Sequence, residues 1–175
     1  MSNFEKNLEQ AINNAKRLTD KILIDGKLIS AQTNNKILVL NPSTGDNIGS
    51  APQCNKDDVN IAVESAHKAF QKWKKIPARE RGKMVAAGAK RLEERKSEIE
   101  TLLSLDTGNA LRTQAIPETG ASIELTNMFA GLSGELKGEN YPTNIPNSIH
   151  YTTRDPIGVV CAIVPWNAPL FLTAV

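Results

Sequence analysis

Ile157-Gly158-Val159-Val160-Cys161-Ala162-Ile163-Val164-Pro165-Trp166-Asn167-Ala168-Pro169-Leu170 is the stretch on which the fold turns. From Ile157 to Val164 it is an almost unbroken apolar, largely β-branched run, the texture of a strand covered on both faces in a parallel sheet. Pro165-Trp166-Asn167-Ala168-Pro169 then bends the chain sharply, and Leu170 to Val175 reads as the start of a helix. Strand, turn and helix in that order open a βα unit. Such a strand needs neighbours on both edges and a helix layer on each face, yet no second parallel strand is offered. The expected fold class is therefore α/β, an incomplete one: the start of a Rossmann-like parallel sheet, preceded by β-hairpins and a helical segment. Cys161, inside the run, is expected to be a small buried hydrophobe.

Immediately upstream, Pro142, Pro146 and Pro156 punctuate an extended region, in which Ser148 to Arg154 alternates as a half-exposed strand. Before Gly138 the chain is helical. One helix starts near Pro117, stops by Gly134 or Gly138, and places Leu125, Met128, Phe129 and Leu132 on one face. Ser97-Glu98-Ile99-Glu100 matches a capping box and restarts or continues the helix through Leu102, Leu103 and Leu105, with Gly108 at the C-terminal stop. A helix after Pro77 has Met84, Val85, Gly88 and Leu92 on one side, with Arg79, Glu80 and Arg81 as a charged face. Asn55 caps a further helix, with Asp57 and Asp58 in its first turn; its apolar face is Val59, Ala62, Val63, Ala66, Ala69, Phe70 and Trp73. Two hairpins precede it, one turning at Asp25-Gly26 and the other at Asn41-Pro42-Ser43-Thr44-Gly45. Phe4, Leu8, Ile12, Ala15 and Leu18 give an amphipathic first helix. The expected division is 1–138 for hairpins and helices, 139–155 for a hairpin region, and 156–175 for the first sheet strand, its turn and the helix start.

Composition narrows the classes of function. The chain has 175 residues, 40% apolar and 23% charged, with a net charge of +2, so no strong field draws it to nucleic acid or a membrane surface. Ile157 to Trp166, its longest apolar stretch, falls well short of the roughly 20 residues a membrane-spanning helix needs. Met1-Ser2-Asn3-Phe4-Glu5-Lys6 lacks the basic start and apolar run of a secretory signal. Cys54 and Cys161 make no disulfide framework, and with His67 and His150 they show no metal-ligand spacing. His67, His150 and Cys54 read as solvated groups. The expectation is a cytoplasmic chain with no metal site, no nucleic-acid partner and no membrane partner.

Chemistry concentrates at the turn. The carboxyl end of a strand is where an α/β sheet binds ligands. There Asn167 offers a side-chain amide that can donate to a developing oxyanion, and Trp166 offers a flat apolar wall. The plain alternatives are that Asn167 caps the next helix and that Trp166 is core.

The segment from Arg154 to Leu170 resembles the R-x-P-x-G-V…P-W-N-x-P-L signature of the aldehyde dehydrogenase superfamily. Upstream landmarks follow in order: Ile24-Asp25-Gly26, Asn41-Pro42-Ser43-Thr44-Gly45, the Ala66, Ala69, Phe70, Trp73 helix, Leu105-Asp106-Thr107-Gly108, and Phe129-Ala130-Gly131. The resemblance covers residues 21–175. It implies NAD(P)+-dependent oxidation of a small aldehyde to an acid through a cysteine thiohemiacetal and thioester, with Asn167 as the oxyanion donor. By the same resemblance Ile163, Val164, Pro165, Trp166 and Asn167 line the nicotinamide side of NAD or NADP, and 139–155 is a bridging hairpin in a homo-oligomer. Leu125, Met128 or Phe129 would line one side of a substrate tunnel, core packing being the alternative. Asp106 matches a position near a cation site in some members, a helix-end salt bridge or cap being the plainer reading. The family's nucleophilic cysteine and general-base glutamate lie beyond the P-W-N turn. Neither Cys54 nor Cys161 matches the former, so the 175 residues alone are expected to be the inactive N-terminal portion of such an enzyme. The alternative reading is a non-catalytic module whose strand edge pairs with a partner subunit.

Overall fold

Small residues set the spacing of the helical layer. In the computed structural model, which describes residues 3–175, α3 (Ala78–Glu94) crosses α5 (Ile116–Leu132) at Gly82. A Cβ at Gly82 would lie 2.5 Å from the Ala130 carbonyl oxygen and 2.2 Å from Ser133 Oγ. The buried positions of the pair are Gly82, Ala89, Thr119, Ser122, Ile123 and Ala130. Thr119 and Ser122 donate their hydroxyls one turn back, to the carbonyls of Ala115 (2.9 Å) and Glu118 (2.7 Å), so they are buried with their donors satisfied. Against expectation, Met128, Phe129 and Leu132 on α5 and Met84 and Gly88 on α3 are exposed; Leu125 is half-buried. Helical periodicity locates an apolar stripe, but a close crossing selects for small side chains, and the bulky stripe faces away from it.

α1 (Asn3–Leu18) packs on α4 (Lys96–Thr107) through Ala11, which is fully buried. Residues 1 and 2 and the Phe4 side chain lie outside the description. Asn14 Nδ2 donates to Glu98 Oε1 at 2.7 Å, and the Arg95 guanidinium forks onto the same carboxylate at 2.5 and 3.0 Å. That pairing raises the pKa of Arg95. The expected capping box is absent: Ser97 lies inside the helix, where its carbonyl accepts the Thr101 hydroxyl at 2.8 Å, and the N-cap position is Arg95. Glu98 and Glu100 are buried instead, Glu98 held by Asn14 of α1 and by Arg95 at the N-cap. Gly108 ends α4 in the left-handed region at φ 75°, as expected. A Cβ there would stand 2.7 Å from Pro42 Cγ, so the two turn motifs pack on each other.

Hairpin β1 (Lys21–Ile24) and β2 (Lys27–Ser30) turns at Asp25 and Gly26, with φ of 52° and 71°, the doubly positive geometry that matches strand twist. β3 (Lys36–Leu40) and β4 (Asn47–Pro52) form the second hairpin. Asp20 fastens it to α1: its N–H donates to the Ser50 carbonyl at 3.0 Å, and its carboxylate accepts the Ser50 hydroxyl at 2.6 Å and the Lys36 ammonium. The Lys36 contact, then Ser50, holds the Asp20 carboxyl below the usual range. α2 (Lys56–Trp73) begins with Asn55 and Asp58 capping each other's backbone, and Asp58 also accepts the Gln32 N–H at 2.8 Å. Of its expected apolar face, Ala62 and Phe70 are partly covered, whereas Val59 and Val63 are exposed.

β5 (Asn140–Tyr141) and β6 (His150–Tyr151) make a third, short hairpin, narrower than the alternation over 148–154 suggests. The three sheets among the described residues are each two-stranded and antiparallel. The run Ile157–Val164 is not a strand and not buried: Ile157 is 96% exposed, Ile163 93%, and Cys161 is exposed. β-branched composition supplies propensity, but a strand exists only through a ladder, and among the described residues this run has no ladder partner.

Two consequences are measurable by thermal and chemical denaturation. Gly82→Ala forces α3 away from the Ala130 carbonyl and costs about 2 kcal/mol. Gly88→Ala, with nothing within 4 Å of the new methyl, stabilises by up to about 1 kcal/mol. Burial raises the Glu100 carboxyl, so the folded chain binds that proton more tightly than the unfolded one, and stability falls as pH rises through the carboxyl range. Glu100→Gln therefore raises Tm by about 2 °C at neutral pH, a gain that vanishes below about pH 4, where both states are protonated.

Candidate active-site turn

The turn is held from its helical side. α6 (Pro169–Ala174) packs on α5, and its first free N–H groups, Leu170 and Phe171, both donate to Glu118 Oε1, at 3.0 and 3.3 Å. Pro169 has no N–H to satisfy, and the N-cap, Ala168, has no side chain that can accept. On the other side of the bend, Asn109 Nδ2 donates to the Asn167 carbonyl at 2.9 Å. The Asn167 peptide is thus fixed between a residue just after α4 and one in the first turn of α5.

This geometry settles both plain alternatives. Asn167 does not cap α6; its exposed side-chain amide has no hydrogen-bond partner among the described residues. Trp166 is not core, being 82% exposed. Ile163 and Val164 are exposed beside it and Pro165 is half-buried, so 163–167 presents an outward apolar strip ending in a free amide. Such a strip can cover one face of a flat apolar group, and the amide can both donate and accept a hydrogen bond.

Behind α6 lies a groove of about 430 Å³ lined by Leu18, Val39, Ile48, Leu102, Asp106 and Leu170, among others. Partial burial pushes the Asp106 carboxyl up; among the described residues it joins neither a salt bridge nor a cap. No group of three or more His, Cys, Asp or Glu among the described residues is placed to hold a metal. His67 lies 3.2 Å from Gln71 Nε2 on an exposed helix face, and His150 and Cys54 are exposed, as expected. Arg79, Glu80 and Arg81 divide their roles: Glu80 pairs with Lys83, whereas Arg81 reaches back to the Ile76 carbonyl at 2.5 Å. Asn109 and Glu118 escaped the sequence reading because their partners lie 58 and 52 positions away, and nothing local marks either residue.

The aldehyde dehydrogenase family model matches residues 28–175. The chain belongs to the aldehyde dehydrogenase family. It is 35% identical over 163 residues to the phenylacetaldehyde dehydrogenase of Pseudomonas fluorescens, covering 89% of this chain and 32% of that protein. It is 38% identical over 160 residues to the aldehyde dehydrogenase tropH of Talaromyces stipitatus, covering 90% and 31%. Among solved structures it is similar to HpcC from Thermus thermophilus, with TM-score 0.90 and 26% identity over 97% of this chain and 33% of that one. Betaine aldehyde dehydrogenase from Staphylococcus aureus, solved in complex with NAD+, gives TM-score 0.87 and 29% identity over 96% and 34%. The chain spans about a third of the length of these relatives. No helix among the described residues is long and apolar enough to cross a membrane.

Exposure of the arm leading into the turn has a direct chemical readout. Cys54 and Cys161 should both react with Ellman's reagent in the native 175-residue chain, giving two thiols without denaturant. A single reactive thiol would restore the buried strand.

Proposed function

We propose that this chain supplies the oxyanion donor and one wall of the cofactor site to an enzyme that oxidises a small aldehyde to an acid with NAD or NADP. The free Asn167 amide, at the end of an apolar strip and anchored through its own peptide, carries the reading. Family membership supports the reaction class, and the S. aureus relative's complex with NAD+ supports the cofactor class.

Addition of a thiolate to an aldehyde carbonyl turns a neutral oxygen into an oxyanion. A donor already in place stabilises that charge with no reorganisation at the moment of reaction. Asn167 Nδ2 is that donor. When bound, the cofactor accepts the hydride. Ile163, Val164, Pro165 and Trp166 form an apolar surface along one side of it, keeping water from that face and strengthening the Asn167 hydrogen bond through a lower local dielectric. The same donor serves again when water attacks the thioester, because that step regenerates a charged tetrahedral oxygen. The hairpin over 139–155, with Tyr141, Ile145, Ile149 and Tyr151 exposed, is in this reading the bridge between subunits of a homo-oligomer.

In the enzyme carrying these residues, Asn167→Ala should lower kcat by about 10²–10³-fold, the usual loss for one oxyanion donor. KM for the cofactor should stay within about threefold, since four of the five lining residues, Ile163, Val164, Pro165 and Trp166, are untouched. Steady-state aldehyde-dependent reduction of NAD+ or NADP+ measures both. A kcat within about threefold of wild type would overturn the assignment.

A further inference from the structure

We infer that Asn109 and Glu118 are positioning residues for the Asn167 amide, acting together as a two-point clamp on the turn. The inference rests on the function proposed for Asn167, and goes beyond it by naming what aims that group. α6 has six residues, too few to hold itself in water, and its first-turn N–H groups have no intrahelical acceptor. Glu118 Oε1 takes both of the available ones, Leu170 N and Phe171 N. Asn109 takes the Asn167 carbonyl. Between these two points the chain has only Asn167, Ala168 and the φ-locked Pro169 to adjust.

Both anchors are tied into the helical layer through their backbones. The Asn109 N–H donates to Thr107 Oγ1 at 3.1 Å and its carbonyl accepts the Ser104 hydroxyl at 2.7 Å, which ties its backbone to α4 on both sides. The Glu118 carbonyl accepts the buried Ser122 hydroxyl. Holding the Asn167 carbonyl restricts rotation about its Cα–C bond, and so narrows the directions its Cα–Cβ bond can take. An ångström of drift in an oxyanion donor is felt directly in turnover.

The test is a cycle of variants in the enzyme that carries this segment, with kcat and KM read separately. Glu118→Ala and Asn109→Ala should each lower kcat by about tenfold. KM for the cofactor should shift no more than about twofold. Glu118→Gln should recover kcat to within about threefold of wild type, because both N–H groups use one oxygen and an amide keeps one. On the Asn167→Ala background, Glu118→Ala should cost less than about twofold, since there is no longer an amide to aim. The same tenfold loss on both backgrounds, or Glu118→Gln no better than Glu118→Ala, would overturn the clamp. Amide exchange in the 175-residue chain reads the clamp independently: Leu170 and Phe171 should exchange at least about tenfold faster in Glu118→Ala. Should the wild-type enzyme oxidise no aldehyde, the proposed function falls while exchange still decides the clamp, and unchanged protection at Leu170 and Phe171 would overturn it.

Discussion

Gly82 lets α3 come into contact with the Ala130 carbonyl of α5, and the geometry of the turn depends on where that crossing leaves α5. α5 carries Glu118 in its first turn, and Glu118 holds the start of α6. Crossing distances vary by ångströms with the residues at the contact, so a bulkier pair would shift α5, and the α6 packed on it, relative to α3. A glycine well away from the turn therefore bears on where Asn167 points.

The interior around this crossing is built as much from satisfied polar groups as from hydrocarbon. Thr119 and Ser122 are fully buried, and Asp58, Glu98 and Thr101 nearly so, yet among the described residues no buried side-chain nitrogen or oxygen lacks a partner. Each of these groups does a positional job. Asp58 closes the cap of α2 while gripping the Gln32 N–H. Glu98 joins α1 to α4 through Asn14. Directional contacts of this kind fix orientation where small side chains leave little shape to interlock. They also break cleanly when one partner is removed, since the other is left buried and unpaired.

What could be read in advance divides along the range of the interaction. Asp25-Gly26, the Asn55 cap and Gly108 were legible because a turn or a cap is decided by residues a few positions apart, whereas the return bond from Asp58 emerged only in the fold. The P-W-N turn was legible as a motif, and so was its free amide as one of two alternatives. The buried faces of α3 and α5 were not, because hydropathy marks where bulk sits and not where backbones meet. Ser97 failed as a cap for a related reason: the helix starts at Lys96, two residues earlier than the motif places it, with Glu98 and Glu100 drawn inward. Asn109 and Glu118 were invisible, since their value lies wholly in partners more than fifty positions away.

The exposed arm from Ile157 to Val164 sharpens what the turn requires. A strand feeding a catalytic loop is commonly taken to position that loop from behind, through its ladder. Here the arm has no ladder among the described residues, and its Gly158, Val159 and Val160 share a cleft with Phe70 and Trp73 of α2 and with Ile76 just beyond it. The turn is nonetheless defined, because both of its anchors come from the helical layer. A sheet added to the arm would bury Ile157, Val160 and Ile163 and so contribute stability. The Asn167 carbonyl is already taken by Asn109, and the Leu170 and Phe171 amides by Glu118, without any sheet. Stability of the arm and aim of the amide are thus separable properties. The first resides in the apolar run that first drew attention to this stretch, and the second in two polar residues outside it.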